Sequence, residues 1–155
     1  MTSKIGLIAI AGLFFFATDC EDRDLEQKYR SRLWVWNVSE SAVYFYERYE
    51  GMTPDRFNTY QNHRLDRGSW WLLNSLDSDL PISYDQLVRA YNDEKPGVEL
   101  LFIYYDKDTG QRDTVIKDIS NMEMDIQKAG EITKGIEWVI TEYNLLFKGK
   151  DETGY

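Results

Sequence analysis

The chain has 155 residues and a formal net charge of −9, with 27 acidic side chains against 18 basic ones. A surface this acidic offers no counter-charge to a phosphate backbone, which excludes nucleic acid as a partner, and it is repelled by an anionic lipid leaflet. One cysteine leaves no internal disulfide, and 11 Tyr, 7 Phe and 5 Trp favour half-buried pleated strands over a helical bundle.

The first element is an apolar run from Ile5 to Ala17, preceded by Lys4. It fits the h-region of an export signal, about 7 to 15 residues, and falls short of the roughly 20 residues that a bilayer-crossing helix needs. Cys20 follows directly. A lone thiol at that place is expected to be the lipidation site of a lipoprotein whose signal peptide spans 1–19; a plain cleaved secretion signal and an uncleaved anchor are the competing readings. Residues 20–30 carry charge without apolar periodicity and are expected to form a flexible acidic stem. Roughly 135 residues remain after cleavage, enough for one ordinary domain.

That domain is expected over 31–147. Arg32 to Val38 alternates, with Trp34 and Trp36 opposite Leu33 and Val35, and Ala42 to Tyr49 is a second alternating run. Together they read as a β-hairpin or as adjacent strands. Asn37-Val38-Ser39 between them has the form of a glycosylation sequon, a chance match in a bacterial export context. Gly51 to Asp66, with Pro54 and the single His63, reads as an exposed loop enclosing a short strand or helical turn. One histidine without a second is poor material for a metal site.

Ser69 to Asn74 suggests a third strand. Ser83 then stands three residues before Gln86, a capping-box spacing, with Tyr84, Leu87, Val88 and Tyr91 at helical intervals, which predicts a short helix over 84–91. Two turns of helix do not persist alone in water, so its stripe must dock on the sheet or over an open end of it. Val98 to Tyr105 is apolar on both faces and is expected to carry the core. Asp106 to Gly110 resembles a calcium loop in its first positions, but the glycine falls early and Lys117 replaces the closing glutamate, so a hairpin turn is expected. Residues 118–133 fit a strand by Met122, Met124 and Ile126 and a helix by Ile119, Met122 and Ile126. Ile136 to Leu146 reads as a terminal strand, and 148–155 as a frayed tail.

No catalytic residue and no metal ligand set is legible, and no cofactor is implied. Nucleophilic catalysis needs a base beside Ser or Cys, and glycoside hydrolysis needs paired carboxylates, neither of which leaves a trace here. The stretch Phe16 to Asp24, with Glu21, Asp22 and Asp24 after the cysteine, resembles the amino termini of Bacteroidetes lipoproteins. Leu33 to Ser39, Ala42 to Tyr46, Leu100 to Thr109 and Glu137 to Thr141 resemble, in order, the strands of small uncharacterised Bacteroidales lipoproteins. The resemblance implies anchoring to the outer membrane, periplasmic or surface-exposed, and carries no activity.

The expected fold is a single antiparallel β-sandwich, immunoglobulin-like in outline, of about six or seven strands with one or two short helices; α+β is the alternative. The expected function is a lipid-anchored, non-enzymatic interaction or accessory module with a protein partner. The alternative is a glycan-binding lipoprotein using Trp70, Trp71 and Tyr60 as stacking rings. Burial of Trp34, Trp36, Trp70, Trp71 and Trp138 together would remove the material for the latter.

Overall fold

The computed structural model describes residues 25–51 and 63–149. The expected signal peptide, Cys20, Tyr60 and most of the tail lie outside the described residues. Two four-stranded sheets face each other. In the first, β1 (Glu26–Asn37), β4 (Trp70–Ser78), β7 (Glu123–Thr133) and β8 (Ile136–Phe147) stand in the order β4-β1-β8-β7. In the second, β2 (Val43–Arg48), β3 (His63–Leu65), β5 (Glu99–Tyr105) and β6 (Arg112–Lys117) stand in the order β3-β2-β5-β6.

The β-sandwich expected from the sequence is therefore the fold. Its likeness to an immunoglobulin domain holds for the outline of two packed sheets; the strand order is not the ABED and CFG arrangement of that fold. Nor is every pair antiparallel. β1 and β8 run parallel, in unbroken register from Glu26 opposite Ile136 to Asn37 opposite Phe147. No local turn joins the two, so nothing short-range imposes the antiparallel direction. The core lies between the sheets, where Leu33, Val35, Phe45, Leu100, Phe102 and Leu145 are fully buried. Phe102 stacks on Phe147 across the interface at 4.0 Å between ring centroids.

Three expectations are corrected. Residues 26–30 belong to β1 and not to a stem. Their charge run has a partner for each long cation: Lys28 pairs with Asp79 at 2.6 Å, and Arg30 grips Asp77 with two bonds of 2.7 and 2.9 Å while lying over the Trp138 ring. β1 and β2 are not a hairpin, since they sit in different sheets. Asn37 makes the crossing: fully buried, its Nδ2 donates to the carbonyls of Ser41 and Leu65, and its Oδ1 accepts from the Ser39 backbone. The sequon is thus an inward corner. His63 is no solvated loop residue, because its ring stacks on Trp71 at 3.6 Å, joining β3 to β4 across the edge of the sandwich.

Other elements follow the pattern. The helix, α1 (Tyr84–Glu94), starts at the Ser83 and Gln86 capping box and buries Leu87 and Tyr91. It packs on β4 and β1 and is tied to β2 through Glu47, which accepts from Tyr91 Oη and from Lys95 Nζ. Residues 118–133 resolve into a 3-10 turn (Ile119–Asn121) and then β7. The Asp106 carboxylate accepts from the backbone of Asp108 and Thr109, closing the expected turn between β5 and β6. Among the described residues no helix is long and apolar enough to cross a membrane.

Candidate functional site

The outer face of the first sheet is built from the even-numbered residues of β1. Leu33 and Val35 point into the core, so Lys28, Arg30, Arg32, Trp34 and Trp36 point away from it. Charges fill one end of this row and indoles the other. Beside them on β8, Glu142 pairs with Arg32 and Asn144 with Trp34, and on β7 Gln127 lies opposite Glu142.

Which tryptophan of β4 joins the row is decided by one bulge. Below it, Leu33 pairs with Asn74; above it, Trp34 pairs with Leu72 and Trp36 with Trp70, leaving Leu73 unpaired. An unbroken register would have placed Trp34 opposite Leu73 and Trp36 opposite Trp71. The extra residue therefore turns Trp70 to the outer face and Trp71 inward, the re-aiming of a side chain that bulges provide.

The result is a cleft of about 340 Å³ lined by Trp34, Trp36, Trp70, Gln127, Glu142 and Asn144. Trp70 stands nearly at right angles to both its neighbours, at 73° and 6.4 Å to Trp34 and at 85° and 6.1 Å to Trp36. The rings make a corner with two walls. Trp70 is 58% exposed, and Trp34, Trp36, Trp71 and Trp138 are half-buried, so the five indoles are not all buried, although Trp71 packs against the core.

The polar groups of the cleft divide into engaged and free. Glu142 accepts from Arg32 Nη1 at 3.1 Å and from the indole nitrogen of Trp34, which fixes the carboxylate and neutralises it. Gln127 Nε2 donates to Asp125 at 3.2 Å. The indole N–H of Trp36 is buried and has no acceptor among the described residues. Asn144, 8% exposed, has no side-chain hydrogen bond within the described residues either. Buried polar groups without partners are uncommon in folded proteins, and among the described residues the Trp36 indole N–H is the one such side-chain group.

Of the stacking residues expected from sequence, Trp70 is in the cleft, Trp71 is on the opposite face against His63, and Tyr60 lies outside the described residues. Adjacent residues of one strand cannot share a face. Sequence reasoning did not single out Gln127, Glu142 or Asn144. The alternation of Trp34 and Trp36 against Leu33 and Val35 was the available signal, obscured because both faces of β1 are apolar there. Among the described residues no group of His, Cys, Asp and Glu is placed to hold a metal ion. No family model matches the chain, and no curated protein matches it.

Proposed function

We propose that the protein is a lipid-anchored, non-enzymatic binding module of the cell envelope whose cleft between Trp34, Trp36 and Trp70 holds a glycan. The observation that carries this is the cleft: three indoles on a face that in a free-standing sandwich would be polar. A sugar ring presents a face of C–H groups and a rim of hydroxyls. An indole presents a broad apolar face and one polar N–H, so the two chemistries match.

Size favours this ligand class over a protein partner. A cleft of about 340 Å³ lies at the small end of the range for small-molecule sites, whereas stable protein interfaces bury about 800 Å² on each side. The Arg32 and Glu142 pair argues for binding and not hydrolysis, because this carboxylate is already held by two donors. The anchor rests on the Ile5 to Cys20 sequence alone, and mass spectrometry of the mature amino terminus tests it: a terminus beginning anywhere but at a modified Cys20 overturns it.

The test of the cleft is a titration of tryptophan fluorescence with a panel of neutral glycans. The expected result is a saturable shift in the wild type that Trp70→Ala abolishes. No shift with any glycan overturns the assignment.

A further inference from the structure

We propose that the outer face of the second sheet carries a separate sugar site, selective for a hexuronic acid, with Arg112 pairing the carboxylate and Tyr44 and Tyr105 lying against the sugar ring. The register of the strands builds it. Phe45, Phe102 and Tyr104 point into the core, so Tyr44 of β2, Ile103 and Tyr105 of β5 and Arg112 of β6 point outward. Tyr44 pairs with Ile103 and Tyr105 with Arg112, and all four line a hollow of about 330 Å³. The solvent face of a sandwich is ordinarily polar, yet here Tyr105 is 62% exposed and Tyr44 38%. The hollow lies on the other sheet from the indole cleft, and its assignment does not rest on that of the cleft.

Arg112 sets the charge of the ligand. On the described strands, Arg30, Arg32, Arg48 and Arg64 each hold a carboxylate of the chain. Arg112 holds none among the described residues, although the chain carries 27 acidic side chains against 18 basic ones. Its neighbour Asp113 is turned to the other face, where it accepts from Tyr104 Oη at 3.3 Å. The guanidinium fork matches a carboxylate in plane and with two bonds. A phosphate dianion fits the same fork, but it brings twice the charge to a chain carrying −9, and a single cation lines the hollow to receive it.

The backbone disfavours a peptide terminus as the source of that carboxylate. Peptides are commonly captured by a free sheet edge or by a nest of backbone N–H groups. β5 is paired on both sides, to β2 and to β6, so its N–H and C=O groups are engaged in the ladders. A ligand here is held by side chains alone. They offer two phenol rings, two hydroxyls that make no hydrogen bond within the described residues, and one guanidinium. A hexuronic acid brings a C–H face for the rings, hydroxyls for the phenols and one carboxylate for Arg112.

The experiment uses the full chain carrying Trp70→Ala, so that the indole cleft contributes nothing, labelled with ¹⁵N and titrated with methyl glucuronide and methyl glucoside. The two sugars differ only at the sixth carbon, a carboxylate in one and a hydroxymethyl group in the other. The arginine Nε–H resonance that vanishes in Arg112→Gln is expected to move with the glucuronide and to stay with the glucoside. The glucuronide should bind about tenfold more tightly, the worth of a charge-assisted hydrogen bond. Arg112→Gln should erase that difference, whereas Tyr105→Ala should weaken the glucuronide and keep the order of the two sugars. Equal binding of the glucoside would overturn the carboxylate claim. Tighter binding of inorganic phosphate would overturn the choice of a carboxylate over a phosphate, and tighter binding of N-acetylphenylalanine would reassign the hollow to a peptide carboxyl terminus. A resonance unmoved by all four probes would remove the site altogether.

Discussion

Neighbouring residues on one strand can have opposite fates, and Trp70 and Trp71 show it. Trp71→Ala removes a ring packed against the core and stacked on His63, so it should lower unfolding free energy by about 2–3 kcal/mol in urea melts. Trp70→Ala, on the exposed wall, should change stability by less than about 1 kcal/mol and abolish glycan binding. The same stack makes stability depend on pH. Burial holds the His63 imidazole below its ordinary range, so above pH 6.5 it is neutral in both folded and unfolded chains and contributes no difference. As pH falls below that value the unfolded chain takes up a proton that the folded chain resists, and the fold loses stability until the folded group also titrates. Melts at pH 7.5 and 5.5 should show a smaller acid loss in His63→Gln than in the wild type. Asn37 tests the crossover in the same way. Asn37→Ala leaves the Ser39 N–H and the Leu65 carbonyl without their partner in a buried corner, a loss of about 2–4 kcal/mol.

The elements differ in how much of them a sequence discloses. α1 was legible because its start is local chemistry: Ser83 accepts from the Gln86 backbone and Gln86 reaches back to the Ser83 N–H. Ser83→Ala should cost about 1 kcal/mol, read as a shift in urea midpoint without a change in slope. β5 was legible from its unbroken apolar run, and the Asp106 turn from its Asp and Gly spacing. β7 was not, because an edge strand exposed along nearly its whole length carries almost no burial pattern. The parallel partnership of β1 with β8 and the bulge at Leu73 were invisible as well, since both depend on residues far apart in the chain. The cleft inherits that limit: its rings were visible as residues, but the polar half comes from β7 and β8. The hairpin joining those two strands offers a gain in stability. Thr133 pairs with Ile136, so the loop is Lys134 and Gly135, with φ of 48° and 83°. Two positive values suit a turn in which Asn-Gly is preferred and a long side chain at the first position is strained. Lys134→Asn should therefore raise the melting temperature, by an amount equivalent to up to about 1 kcal/mol.

At the scale of the whole molecule, the pairing of first and last strands links the proposed anchor to the proposed site. Since β1 begins at Glu26, only residues 21–25 separate Cys20 from the sandwich, a span of at most about 18 Å. Trp34 and Trp36 stand roughly 26–33 Å further along the same strand at the rise of extended chain. With the proposed anchor at Cys20, the strand itself, paired with β8 along its entire length, would hold the cleft away from the lipid, and little reach would be left to the tether. Anchor and cleft should then separate cleanly by mutation. Cys20→Ala should move the protein from the membrane fraction to the soluble fraction and leave its affinity for the glycan unchanged. Trp70→Ala should remain in the membrane fraction and lose the glycan. Binding to an uncharged ligand should also change less than twofold between 50 and 500 mM salt, because screening acts on charge pairs and the cleft presents none to the ligand. A steep fall in affinity with salt would show that an ionic contact, not the indole corner, holds the glycan.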